Sequence, residues 1–108
     1  MPLKLLPFDR EFIEKLVERY PTPFYIYDEK TLRRYARLFT ESFAWNNGFK
    51  EFFAVKANPN PELLKILRTE FLGFDCSSLT ELLLCERVGV SGEEIMFTSN
   101  NTPATEFK

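Results

Sequence analysis

The chain has 108 residues, 44% of them apolar, with 14 basic and 16 acidic side chains, two cysteines and no histidine. That composition suits a globular protein, and the length holds one small domain or part of a larger one, excluding any complete architecture of about 250 residues. A net charge of −2 gives no general attraction to nucleic-acid phosphates or to anionic lipid.

Asp9 is placed to cap a helix over about residues 10–20, in which Phe12, Ile13, Leu16, Val17 and Tyr20 form an amphipathic stripe. Pro21 and Pro23 end it. Phe24-Tyr25-Ile26-Tyr27 is short, aromatic and β-favouring, and Asp28 follows as the N-cap of a second helix over about 29–43. That helix turns Leu32, Tyr35, Ala36, Phe39 and Phe43 inward. Arg33, Arg34 and Arg37 fall mainly on its other face, which reads as a solvated surface with Glu29 and Glu41 as nearby partners.

After an Asn46-Asn47-Gly48 turn, the run from Phe52 to Val55 is continuously apolar, the pattern of a strand covered on both faces in a parallel sheet. Asn60-Pro61-Glu62 spells a helix start: a cap, a proline at the first position, and an acid near the positive end of the dipole. Leu63, Leu64, Leu67 and Phe71 form the apolar face of that helix. Gly73 leads into a strand at Phe74-Asp75-Cys76, and Ser78 to Glu81 has capping-box spacing for a helix through about Arg87. Val88 to Gly92 reads as a loop, Ile95 to Thr98 as a further strand, and Thr102-Pro103 as a fresh helix start near the end of the chain. From residue 24 the order is strand and helix in strict alternation, which parallel α/β proteins require because parallel strands need a covering crossover.

The missing histidine removes the commonest general base near neutral pH, the Ser-His and Cys-His nucleophile pairs, and the usual zinc ligand. Cys76 and Cys85 lie nine apart with no further Cys or His, so metal-ligand spacing is absent. They read as buried thiols of a reducing cytoplasm rather than a disulfide, since no signal peptide is recognisable at the start and no apolar run approaches the ~20 residues of a membrane span.

In parallel α/β folds, functional groups gather where strands end and loops begin. Lys56 follows the second strand, Asp75 and Ser77 close the third, and Thr98 to Asn101 close the fourth. With the strands as parallel neighbours, Lys56, Asp75 and Asn100 share one rim. A lysine there serves either as a surface group snorkelling from a strand end or as an amine that attacks an aldehyde cofactor. Asp75 is either ordinary turn chemistry or a partner for that amine, and Glu81 is most simply the reciprocal member of its capping box. Gly73, Gly89 and Gly92 are isolated, so no glycine-rich phosphate loop is present.

Four blocks in this order and spacing, FYIYDEKTL (24–32), FFAVKANPNPELLKIL (52–67), GFDCSSLTEL (73–82) and IMFTSNNTP (95–103), resemble the pyridoxal-phosphate-dependent decarboxylases built on an alanine-racemase-like barrel, most of all their diaminopimelate branch. The resemblance covers about residues 22–108. It implies an α/β fold, the N-terminal portion of a (β/α)₈ barrel that binds pyridoxal 5'-phosphate and is incomplete here: residues 1–23 as helix and linker, residues 24–108 as about three β/α units.

By the same resemblance, Lys56 matches the lysine that binds the cofactor's aldehyde carbon, Asp75 an acid beside that lysine, and Asn100 a polar position at the cofactor rim. Glu81 matches a recurring acid of its segment. The implied activity is decarboxylation of an amino acid, meso-diaminopimelate to lysine, in a cytoplasmic homodimer. The family's ring-facing histidine, phosphate grip, acid at the ring nitrogen and substrate-binding arginine are expected beyond residue 108, which makes this chain a piece expected to be inactive alone.

Other readings stay open at this level. One keeps the fold and changes the substrate to ornithine or arginine. Alanine racemase fits less well, because its branch continues from the lysine into a histidine-containing stretch where this chain has Pro59-Asn60-Pro61. Another is a non-catalytic binding module presenting Phe43, Trp45, Phe49, Phe52 and Phe53.

Overall fold

The computed structural model describes residues 5–107. Helix α1 (Arg10–Arg19) is capped by the Asp9 carboxylate, which accepts from the Phe12 N–H at 2.9 Å. None of its residues is buried. Its apolar stripe faces Phe24 to Tyr27, and the two border an open cavity of about 630 Å³. Those four residues carry no strand pairing, contrary to the sequence expectation. β-Propensity describes fitness for a pleated surface, and without a neighbouring strand to complete its hydrogen bonds an aromatic segment has no ladder to join.

Helix α2 (Glu29–Ser42) starts after Asp28, but the Asp28 side chain caps no backbone N–H. It accepts instead from the Thr31 hydroxyl. Only Ala36 of this helix is fully within the core. At its end Phe39, Phe43 and Phe49 cluster, with Phe43 and Phe49 stacked at 4.4 Å. Trp45 alone of the expected aromatic patch stands far into solvent, 79% exposed.

The sheet consists of β1 (Phe52–Ala54), β2 (Gly73–Cys76) and β3 (Ile95–Phe97), all parallel, in the order β1-β2-β3. Neighbouring strands are consecutive in sequence, joined by helices α3 (Pro61–Thr69) and α4 (Leu79–Arg87). That sequential order is how a β/α barrel grows. Phe53 pairs with Phe74, and Phe74 with Ile95. This row faces the helices, and Phe74 is completely buried at its centre, worth ~1.5–3 kcal/mol in burial alone. Val55, Leu64, Cys76, Cys85 and Val90 complete the fully buried layer. The other face carries Ala54, Asp75 and Met96 as direct partners across the three strands.

Both crossover helices begin as their sequences predict. The Asn60 side chain accepts from the Glu62 N–H at 3.0 Å, and the Ser78 hydroxyl from the Glu81 N–H at 3.3 Å. Their ends form the same motif with different residues. After α4, Gly89 sits at φ +81° while its N–H and that of Val90 donate back to the Glu86 and Cys85 carbonyls. After α3, Phe71 at φ +66° occupies the equivalent place, with its own N–H and that of Leu72 donating to Arg68 and Leu67. The segment from Val88, expected as a plain loop, is therefore the α4 terminus, and it places Val88 and Val90 in the core.

The chain past Thr102-Pro103 makes one short 3₁₀ turn, Ala104–Phe107. Both Arg33 and Arg37 reach Glu70 at the end of α3; Arg33 is partly withdrawn from solvent by it, whereas Arg37 stays exposed as its face of α2 suggests. Among the described residues, no helix is long and apolar enough to cross a membrane.

Candidate active site

The strand ends bring the three expected residues together. Lys56, Asp75 and Asn100 line one polar cavity of about 290 Å³, with Ser77, Thr98 and Ser99. Parallel pairing of β1, β2 and β3 is what aligns them, since all three strands then finish on one edge of the sheet.

Lys56 does not continue β1. It lies in a 3₁₀ turn, Val55–Ala57, anchored by the fully buried Val55 on one side and by the Asn58 N–H donating to the Val55 carbonyl on the other. Its side chain is exposed and bonds to no described residue, so its amine is open to a ligand in the cavity. Asp75 is half-buried, and its Oδ1 accepts from the Thr98 hydroxyl at 2.8 Å. Asn100 is exposed on the loop beyond β3.

Glu81 reaches back over the start of α4, but to the Ser77 N–H and the Ser78 hydroxyl and not to the Ser78 N–H expected of a reciprocal capping box. Its Oε2 accepts from the Ser78 hydroxyl at 2.8 Å and from the Ser77 N–H at 3.1 Å, while its Oε1 is buried without a partner. The Leu79 N–H donates to Glu106 Oε1 at 2.9 Å, drawing the last 3₁₀ turn onto the start of α4. With the Ser77, Leu79 and Glu81 N–H groups all engaged, this helix end has few donors left for an anion. Thr98 is marked in the sequence only as one of the polar residues at its strand end, and Glu106 not at all; each acquires its partner only through folding.

Cys76 and Cys85 are both free and buried, with Sγ atoms 3.5 Å apart. Burial pushes both thiols up, and for Cys76 the contact with Cys85 adds to the shift. Neither faces the cavity, so they belong to the core.

The model of the pyridoxal-dependent decarboxylases, pyridoxal binding domain, matches residues 29–108. The chain belongs to this family. It is 46% identical over 96 residues to Protein TabA of Pseudomonas amygdali pv. tabaci, covering 89% of this chain and 23% of that protein. To the diaminopimelate decarboxylase of Deinococcus radiodurans it is 35% identical over 99 residues, 92% of this chain and 24% of the relative. In fold it follows the crystal structure of lysine decarboxylase from Selenomonas ruminantium, with a TM-score of 0.82, 24% identity, and coverage of 92% of this chain and 25% of that one. The chain thus spans about a quarter of the length of the relatives it matches. Its α/β fold is the N-terminal portion of the (β/α)₈ barrel, and its family cofactor is pyridoxal phosphate.

The cavity's donor set fits one end of that cofactor. An open primary amine is the group that combines with an aldehyde, and a carboxylate, three hydroxyls and an amide surround it. At the start of α4, the Leu79 and Glu81 N–H groups are already engaged within the chain, which leaves that helix end with few donors for the phosphate.

Proposed function

We propose that Lys56 is the covalent anchor for pyridoxal phosphate, that Asp75 orients its amine, and that Asn100 contributes a polar contact at the rim. The observation that carries this reading is the convergence of all three on one polar cavity at the strand ends. When bound, the cofactor supplies an electron sink for the bond that breaks at the substrate's α-carbon. This chain's own residues then do the holding: Lys56 presents a nitrogen, Asp75 keeps it in place, and Thr98 and the two serines offer hydroxyls around it.

The reaction we infer is decarboxylation of an amino acid, with meso-diaminopimelate as substrate and lysine as product. Similarity to the Deinococcus radiodurans diaminopimelate decarboxylase supports that choice of substrate. Residues 24–108 would provide the opening part of the barrel, and the working protein would be a cytoplasmic homodimer.

The test uses the protein expressed from its complete reading frame. Incubation with pyridoxal phosphate, borohydride reduction and peptide mass spectrometry should place the label on Lys56, and Lys56→Ala should abolish it. Carbon dioxide release from diaminopimelate, ornithine, arginine and lysine then ranks the substrates. Labelling confined to other lysines would overturn the anchor assignment.

A further inference from the structure

Thr98 makes two contacts to two consecutive residues of the neighbouring strand. Its N–H donates to the Cys76 carbonyl at 2.9 Å, extending the β2/β3 ladder by one residue, and its hydroxyl donates to Asp75 Oδ1 at 2.8 Å. We infer that Thr98 is a positioning residue for the Asp75 carboxylate and, through it, for the Lys56 amine, an inference that rests on the reading of Lys56 as cofactor anchor.

The sheet itself aims the hydroxyl. Asp75 lies directly opposite Met96. Residues two apart on a strand share a face, so Thr98 is the diagonal neighbour of Asp75 on the face away from the helices. The ladder bond holds the Thr98 backbone, and a β-branched side chain has little freedom at χ1, so the hydroxyl is delivered with few alternatives to explore.

A carboxylate at the end of an aspartate turns broadly about its last torsion. With Oδ1 held by Thr98, that rotation is arrested and Oδ2 keeps one direction. A hydroxyl has a single proton, and here it is donated to Asp75, leaving Thr98 Oγ1 to present only lone pairs elsewhere. The bond is also charge-assisted, the stronger kind. Asn100 and Ser99, on the loop beyond, make no such bond to a described residue, so Thr98, directly after β3, is the residue that connects this part of the cavity wall to Asp75.

The experiment measures how fast Lys56 is labelled by pyridoxal phosphate in cofactor-free protein of full length, trapped with borohydride and read by peptide mass spectrometry. Thr98→Val, which keeps the shape and loses the hydroxyl, should slow labelling about tenfold, the equivalent of one hydrogen bond to a charged group. Thr98→Ser, which keeps the hydroxyl, should restore most of the rate. Denaturant unfolding should show both variants fully folded under the labelling conditions, with Thr98→Ser near the parent midpoint, so that slowed labelling in Thr98→Val reports positioning and not unfolding. Parental labelling in Thr98→Val, or equal slowing in Thr98→Ser, overturns the positioning role while leaving the anchor intact. Absence of Lys56 labelling in the unsubstituted protein overturns both.

Discussion

Arg37 and Glu70 meet in a two-point ion pair, Nε to Oε2 at 2.6 Å and Nη2 to Oε1 at 2.8 Å, that ties α2 to the end of α3. Arg33 adds a third contact at 3.0 Å to Oε1 and, through the same nitrogen, one to the Thr69 hydroxyl at 2.6 Å. The Glu70 side chain is only 7% exposed, so its charge is held by these arginines more than by water.

Hydrogen bonds from Arg37 and then Arg33 hold the Glu70 carboxyl at about 2, well below its ordinary 4.5. A depressed native value means that the stability it contributes is complete above pH 4.5 and is lost as the pH falls from there towards 2. Urea unfolding across that window should therefore show a steeper acid loss in the parent than in Glu70→Gln. Identical pH slopes for the two proteins would contradict the ion-pair account.

Phe71 stands at φ +66° with its ring 89% exposed, in the position that Gly89 occupies after α4. A left-handed conformation costs a side-chain-bearing residue ~1–2 kcal/mol, and an exposed ring recovers little of it. Phe71→Gly should raise unfolding stability by about 0.5–1 kcal/mol after the added freedom of the unfolded chain is counted. Phe71→Val, β-branched, should lower it. Chemical unfolding of both variants decides this, and a loss of stability in the glycine variant would argue that the ring has a contact partner.

A Cβ on Gly73 would lie 2.6 Å from the Phe52 ring and 2.9 Å from the Glu94 carbonyl oxygen. Gly73→Ala should cost ~1–3 kcal/mol by overpacking. Adding Phe52→Ala should recover only part of that, because the Glu94 oxygen is backbone and cannot step aside. Full recovery in the double variant would show that the ring alone sets the limit.

The two cysteines touch at 3.5 Å, but burial disfavours the thiolate at both. Iodoacetamide should leave the native protein unmodified and label both residues in denaturant without prior reduction. Labelling of neither residue under denaturing conditions, restored by prior reduction, would reveal a disulfide between them.

Much of this molecule is decided within a few residues of chain. Asp9, Asn60 and Ser78 cap their helices because each carboxylate, amide or hydroxyl reaches an N–H two or three positions on. The apolar run at Phe52, the isolated Gly73 and the polar residues after each strand likewise mark where strands start and stop. Lys56, Asp75 and Asn100 are visible in the same way, as polar groups at successive strand ends.

Other features have no local cause. Asp28 sits at a cap position yet bonds Thr31, and Phe24 to Tyr27 favours β structure yet finds no edge to pair with. Lys56 lies in a 3₁₀ turn that follows β1 directly, although the apolar run before it reads as continuous strand.

The sequence by itself determined the strand–helix alternation from Phe52 onward, the starts of the helices after Asp9, Asn60 and Ser78, and the polar residues at the strand ends, because those depend on periodicity and on hydrogen bonds that span two to four positions. Only the tertiary structure decided that Thr98 would hold Asp75, 23 residues away, and that Arg37 would hold Glu70, 33 residues away. Such pairs exist only once strand register and helix docking are set, and those follow from burial of the whole core around Phe74 rather than from any stretch of sequence read alone.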